Sequence, residues 1–478
     1  MKREMLLERV SSQTRLAILE DKRLCEIYYE REGRAKLAGN IYVGRVQNVL
    51  PGMNAAFVDI GMSKNAFLYA GDICIDTRGE DGLRDRLERA RIEKIVRPGQ
   101  MILVQVVKEP GGSKGPRVSG SVTLPGRLCV LLPTIEYAGV SKKIGDSAER
   151  ERLYAAANRI SKQFGAGIIV RTAAEGADEA QIRADFERLL RIWKRIQTEG
   201  SHSAKPRLIQ NDGSIVIRAL RDLMDESIEA VRTDDPEIYF ELRDCAALFT
   251  PEYAERVELV KTETPLFDLL RVDAQLERAF DRHVYLKSGG TIVIDETEAM
   301  TVVDVNTGKF TGKKSLEETI FQINCEAADE IARQLRLRDI GGIVIIDFID
   351  METVENRDAL IEHLRQALSN DRNRTNVLGM TALGLVEMTR KKVRRPLSKQ
   401  LMRDCSACLA AGREWTHESI AYRIIRDIWR KRRAGDRLNY RILADKRVLD
   451  WICTIGIPEN CVLEEGGREL NYEILPNS

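Results

Sequence analysis

Thr301-Val302-Val303-Asp304-Val305-Asn306-Thr307-Gly308 and Gly342-Ile343-Val344-Ile345-Ile346-Asp347-Phe348-Ile349-Asp350-Met351 are the two stretches in which apolar runs end on carboxylates. Met300 to Asn306 reads as a β-strand, with Thr291 to Asp295 as its neighbour around a polar turn. Ile343 to Ile346 is an uninterrupted apolar run behind Gly341-Gly342, the pattern of a strand buried on both faces. Between the two stretches, Ser315 offers an N-cap and Glu318 completes a capping box. Leu316, Ile320, Ile323, Ala327, Ile331 and Leu335 then recur at helical spacing. Asp304 and Asn306 are two apart on a strand, so their side chains share a face. If the strands carrying Asp304 and Asp347 are neighbours, two carboxylates and an amide meet at one sheet edge. A few hard oxygen donors suit Mg²⁺, which keeps waters and takes one or two carboxylates plus a substrate phosphate. Capping a turn or making a structural salt bridge is the commoner fate of a strand-end aspartate, and pattern alone leaves both readings open.

Upstream lies a run of short strands. Ile41 to Val46, a turn at Pro51-Gly52, Ala55 to Ile60, a break at Gly61, Phe67 to Tyr69 and Met101 to Val107 read as a small barrel, interrupted by a charged insert from Thr77 to Lys94. Phe57 and Phe67 fall on these strands, where an aromatic either packs in the core or stacks on a single-stranded base. Gly167 to Val170 is an apolar strand ending in Arg171 and Thr172, a guanidinium and a hydroxyl that suit a phosphate. Past the polar stretch around His202 to Lys205, Ser214 to Arg218 and Glu237 to Leu242 read as strands, with Leu220 to Val231 helical between them.

At 478 residues the chain calls for several modules. With 43% hydrophobic and 31% charged residues it is globular, which excludes a disordered chain. No apolar run is long enough to span a bilayer, and the N-terminus has no secretory signal, so a cytoplasmic protein is expected. The net charge of +1 does not announce a nucleic-acid binder. Two basic groups, Lys391, Lys392, Arg394 and Arg395, and Arg430 to Arg433, read as solvated surface. Nine cysteines, an odd number, argue against a disulfide framework. Only Cys405 and Cys408 form a close pair. One pair is half of a closed four-ligand zinc site; His417, Cys453 and Cys461 lack motif spacing. Two chains each donating a pair would make a symmetric dimer, and unliganded thiols are the alternative.

The two opening stretches resemble the two signature segments of the ribonuclease E/G family, and Val386-Glu387-Met388-Thr389-Arg390 resembles a third. The resemblance runs from the N-terminal region to Arg413. It implies an endoribonuclease in which Asp304 and Asp347 hold Mg²⁺ and Asn306 orients the metal site or the scissile phosphate. Water then attacks in line, leaving a 5′-phosphate and a 3′-hydroxyl. Gly39 to Val46 through Ala66-Phe67-Leu68 is similar to the family's S1 RNA-binding domain. That similarity makes Phe57 and Phe67 RNA contacts and Lys114, which follows a matching Lys108-Glu109-Pro110, a phosphate contact. By the same resemblance Arg171 and Thr172 grip a 5′-terminal monophosphate, with Gly126 and Val130 beside the first nucleotide. Ser141-Lys142-Lys143-Ile144 departs from the family, which has arginines there. Cys405 and Cys408 would share structural Zn²⁺ between two chains, although the proline and glycines usual around the pair are missing.

The implied fold is an α/β and β multidomain chain. Residues 1–38 and 207–280 form an RNase H-like scaffold. Into it are inserted an S1-type OB barrel at 39–126 and a 5′ sensor at 127–206. A DNase I-like catalytic domain at 281–400, a zinc-link at 401–415 and a small C-terminal domain at 416–478 follow. With no long disordered tail, the architecture is closest to the ribonuclease G branch. The expected substrate is single-stranded, A/U-rich RNA with a 5′-monophosphate, in rRNA and tRNA maturation and mRNA decay, cut by a homodimer or tetramer. The rivals are a non-catalytic S1-type RNA-binding protein, against which Asp304 and Asp347 speak, and a DNA nuclease.

Overall fold

A computed structural model describes residues 2–31, 37–73, 91–110, 114–308, 316–404, 413–466 and 472–477. The contacts divide the chain into two compact units, one of Met1–Tyr29, Ser227–Phe240 and Arg256–Ser478, the other of Glu30–Glu226 and Glu241–Glu255.

In the first unit, Arg3–Val10 and Gln13–Glu20 form an antiparallel pair, with Arg23–Arg31 next in the sheet. Asp21 and Lys22 both take positive φ, the turn conformation that suits a two-residue hairpin. Arg3–Val10 also pairs in parallel with Ile228–Thr233, which pairs in parallel with Val257–Leu259. A second, six-stranded sheet has the order His283–Tyr285, Thr291–Glu296, Met300–Asn306, Gly342–Asp347, Leu385–Arg390, Thr375–Met380. Met300–Asn306 and Gly342–Asp347 run parallel, which requires the long crossover that helix Leu316–Leu337 supplies. That helix and Val354–Leu368 cover one face. Ile323, Ala327, Ile331, Leu360 and Leu364 pack there on Ile292, Val303, Val305, Val344, Ile346 and Met388. Met402–Asp404 pairs with Arg413–Trp415, and the C-terminal part packs helices His417–Arg433 and Lys446–Ile455 against three strands.

The second unit holds the barrel. Ile41–Leu50 pairs with Ala55–Asp59 on one side and Met101–Lys108 on the other, and Ala66–Tyr69 and Arg117–Ser119 complete a closed five-strand ring. Arg207–Gln210 adds at the edge of Ile41–Leu50. Beyond the barrel, a four-stranded sheet orders Ala138–Val140, Gly167–Val170, Cys129–Leu132 and Leu124–Pro125 under helices Ser147–Phe164 and Glu179–Ser201.

Several local expectations fail for identifiable reasons. Ile215–Arg218 and Pro236–Phe249 are helices, not strands. Ser214 caps the first by accepting from Ile217 N, and Asp235 Oδ1 accepts from Glu237 N (2.8 Å) and Ile238 N (3.1 Å) at the start of the second. Its buried Ile238, Leu242 and Ala246 stand four apart, a helical stripe. The segment expected as a helix from Leu220 to Val231 is a single turn, Ala219–Leu223, followed by the strand Ile228–Thr233. Gly342–Asp347 buries only one face; Ile343 remains 47% exposed. The basic groups are not merely solvated. Arg394 pairs with Asp339 (2.7 Å), Arg430 with Asp268 and Asp273, and Arg433 with Asp234 (2.6 Å).

Candidate active site and RNA-contacting surfaces

Met300–Asn306 alternates strictly between exposed and buried, so Val303 and Val305 enter the core while Val302, Asp304 and Asn306 stand on the open face. In the parallel register Asp304 lies directly opposite Asp347, also exposed. Like charges facing each other across a strand pair are destabilising. Among the described residues no lysine, arginine or histidine forms an ion pair with Asp304, Asp347 or Asp350. Burial, and then the charges of Asp304 and Asp350, push the Asp347 carboxyl above its usual range. Asn306 Nδ2 donates to Asp304 Oδ2 at 2.8 Å, fixing which oxygens remain free. No three His, Cys, Asp or Glu side chains among the described residues form a metal-holding group. A cage is not required, since Mg²⁺ is satisfied by one or two carboxylates with waters and phosphate. Two facing carboxylates with no ion-pair partner among the described residues fit such an ion.

The loop after Asp347 is fixed from below. Asn324, fully buried on the crossover helix, donates from Nδ2 to Ile349 O (2.8 Å) and accepts at Oδ1 from Ile349 N (3.1 Å). It supplies the pairing that a missing neighbouring strand would have given. Seven residues earlier, on the same helical face, Glu317 accepts from Glu352 N and Thr353 N (both 3.3 Å), Thr353 Oγ1 (3.1 Å) and Asn356 Nδ2 (2.9 Å). Sequence reasoning missed Asn324, Glu317 and Asp350. The available signal was an asparagine beside Ile323 on an apolar helix stripe, which needs a buried partner.

On the barrel, Phe57 and Phe67 are cross-strand partners, half-buried, with ring centroids 6.1 Å apart at 70°. Their neighbours Ala56, Val58, Ala66 and Leu68 fill the interior, so alternation sends both rings outward. Tyr69, on the face of Phe67, is exposed and was not anticipated. Lys114 is exposed, and its neighbour Gly115 has no room for a side chain: a Cβ there would lie 2.1 Å from Asn65 O. This contact, with Phe67 N donating to Pro116 O (2.8 Å), keeps Lys114 beside the strand of Phe67.

In the four-stranded sheet, Arg171 follows the strand Gly167–Val170 and its N–H bonds Leu128 O at 2.8 Å. Arg171 Nη1 donates to Gly126 O and to Asp222 Oδ1 (2.9 Å). Burial pushes the Asp222 carboxyl up, but Arg221 and Arg171 outweigh it and hold it below the usual range. Gly126 is pressed against Asp185, whose Oδ2 would lie 2.4 Å from an added Cβ. Thr172 Oγ1 shares a hydrogen bond with Ser141 Oγ (3.0 Å), and Lys142 and Lys143 are exposed beside it. Val130 lies opposite Ile169. Arg171 and Gly126 are thus in contact, with Thr172 next in chain. Asp222, which anchors Arg171, was not foreseen. Cys405 and Cys408 lie outside the described residues.

No described helix is long and apolar enough to cross a membrane. The family model described as "Ribonuclease E/G family" matches residues 123–393. The chain is 42% identical over 448 residues to Ribonuclease G of Escherichia coli (strain K12), covering 94% of this chain and 91% of that one. It is 43% identical over 428 residues to Ribonuclease G of Haemophilus influenzae, covering 89% and 87%. Against Ribonuclease E of Haemophilus influenzae it is 35% identical over 427 residues, 89% of this chain but 45% of that one.

Proposed function

The chain belongs to the ribonuclease E/G family and is an endoribonuclease of RNA processing, and from that premise we propose that it hydrolyses single-stranded, A/U-rich RNA with Mg²⁺ and prefers 5′-monophosphate ends. The observation that carries the reading is the face-to-face pair Asp304 and Asp347, two carboxylates with no ion-pairing cation among the described residues. Asp304 and Asp347 would hold the ion, which when bound supplies Lewis-acid stabilisation of charge on the scissile phosphate. Asn306 holds Asp304 in one orientation, and Asn324 fixes the backbone that follows Asp347. Water adds to phosphorus in line as the bond to the 3′-oxygen breaks. The proton lost by water balances the one gained by that oxygen, giving a 3′-hydroxyl and a 5′-phosphate. Magnesium-dependent cleavage of a 5′-monophosphorylated A/U-rich oligoribonucleotide tests the reading. A protein that binds this RNA and leaves it intact at every magnesium concentration would overturn it.

The outward Phe57 and Phe67 support base stacking, with Lys114 on phosphate. Phe57→Ala or Phe67→Ala is expected to weaken single-stranded RNA binding by ~1–3 kcal/mol, read by fluorescence anisotropy. Because the two rings touch, the double variant should lose less than the sum. Unchanged affinity in folded variants returns the rings to a packing role.

Arg171, Thr172, Gly126 and Val130 form the pocket for the 5′-terminal phosphate in this reading. The domain layout follows the family: an RNase H-like scaffold, supported by the meander extended by two parallel strands, an S1 barrel, a sensor and a DNase I-like catalytic sheet. Cys405 and Cys408 would bind Zn²⁺ between two chains of a cytoplasmic homodimer, with a tetramer as the larger assembly, acting in rRNA and tRNA maturation and mRNA decay. Elemental analysis of the purified protein is expected to give one zinc per two chains; a zinc-free dimer sinks the shared site.

A further inference from the structure

Arg127 directly follows Gly126, whose carbonyl Arg171 grips. It is 7% exposed, and its Nε is sealed from solvent with no hydrogen-bond partner. Among the described residues it makes no ion pair or other hydrogen bond. Arg221, equally buried in the same unit, shows the usual arrangement, with Asp212 at 3.1 Å and Asp222 at 2.7 Å. Around Arg127, the carboxylates of Glu252 and Asp225 act from beyond ion-pair distance, and Arg171 adds a like charge. Burial is the largest of these influences and pulls the guanidinium below its usual range. A buried charge without a partner is expensive in a low dielectric, and removing it often stabilises a fold. Its place in the chain next to Gly126, which Arg171 grips, gives the expense a use.

We propose that Arg127 is a second cationic contact for the 5′-terminal phosphate of RNA, set beside Arg171 at the Gly126 turn. The assignment rests on the reading of Arg171 and Thr172 as that pocket. A phosphate monoester at neutral pH carries close to two negative charges, against one for each internal phosphodiester. Two arginines meeting at Gly126, one through its side chain and one as the next residue, the latter without an ion-pair partner among the described residues, match the terminal group and are overprovided for an internal one. Arg171 already shares its charge with Asp222, whereas Arg127 has no ion-pair partner among the described residues, so Arg127 is the guanidinium left to pair with the ligand.

The experiment compares full-length wild type, Arg127→Met and Arg171→Ala on RNAs differing only in a 5′-monophosphate or 5′-hydroxyl. Arg127→Met is expected to lower the preference for the monophosphate by about tenfold, the loss of one charge-assisted hydrogen bond. Cleavage of the 5′-hydroxyl RNA should stay unchanged, and the thermal midpoint without RNA should hold or rise. Adenosine 5′-monophosphate should raise the thermal midpoint of wild type and not of the variant. A lower midpoint with the preference intact would mean that Arg127 is a structural partner of Glu252 or Asp225, and the proposal fails. If Arg127→Met does not fold, Glu252→Gln decides: preserved stability with preserved or stronger discrimination supports the phosphate role, and a lowered midpoint with discrimination unmoved refutes it. If Arg171→Ala also leaves the preference intact, the pocket itself is misplaced. If Arg171→Ala erases it and Arg127→Met does not move it, only the Arg127 assignment falls.

Discussion

Asp304→Asn abolishes cleavage while the protein stays folded and keeps its RNA. Metal-assisted stabilisation of a phosphoryl transition state is worth several kcal/mol, so losing a ligand should slow single-turnover cleavage by at least about a thousandfold. Asparagine is nearly isosteric and retains a carbonyl oxygen for the Asn306 amide, so the strand needs no rearrangement. The substitution also removes one of two like charges opposed across the parallel pair. Such pairs matter by ~0.2–1 kcal/mol, so the variant should melt at or slightly above the wild-type temperature. Asp347→Asn should behave alike. Activity lost together with the fold would leave the metal role unproved by this variant, and Asp347→Asn would then carry the test. Undiminished cleavage by folded Asp304→Asn and Asp347→Asn would remove the catalytic role from this sheet face.

The second large effect falls on end recognition. Arg171→Ala should erase the difference in cleavage rate between 5′-monophosphorylated and 5′-hydroxyl RNA. Charge-assisted hydrogen bonds contribute ~1.5–3 kcal/mol, so the ratio should fall by about ten- to a hundredfold. The fold should survive, because Asp222 keeps Arg221 at 2.7 Å when Arg171 is gone. Arg171→Lys is a poor rescue, since a lysine cannot serve Gly126 O, Asp222 and a phosphate from one planar fork. Competition kinetics with the two RNAs in one reaction read the ratio directly. A ratio that stays at the wild-type value would show that the 5′ end is sensed elsewhere or not at all.

What was legible from the residues follows from which forces act locally. The strand ends at Asp304 and Asp347 could be placed because apolar alternation and glycine punctuation are local signals. Their pairing could not, since register between strands joined by a long helix is a tertiary choice. The barrel was readable from closely spaced strands; the outward direction of Phe57 and Phe67 needed the register to set it. Ser214 to Arg218 looks like a strand because Ile215, Val216 and Ile217 are three β-branched apolar residues in a row, until the Ser214 cap is weighed. Pro236–Phe249 was misjudged because its proline was not read as a first-turn residue. Arg171 was visible; Asp222 and Arg127 were not, because neither an ion-pair partner nor the lack of one leaves a mark in sequence.

The first unit opens before the second and resumes at Ser227, after the long Glu30–Glu226 segment of the second. This order has a cost in time. Strand Arg3–Val10 leaves the ribosome early, yet its parallel neighbour Ile228–Thr233 is synthesised some two hundred residues later. At roughly 5–20 residues per second the wait is about 10–40 s, during which one edge of the growing hairpin lies unpaired. Closing that edge is then a late, long-range event, slow beside the barrel, whose strands are all close in sequence.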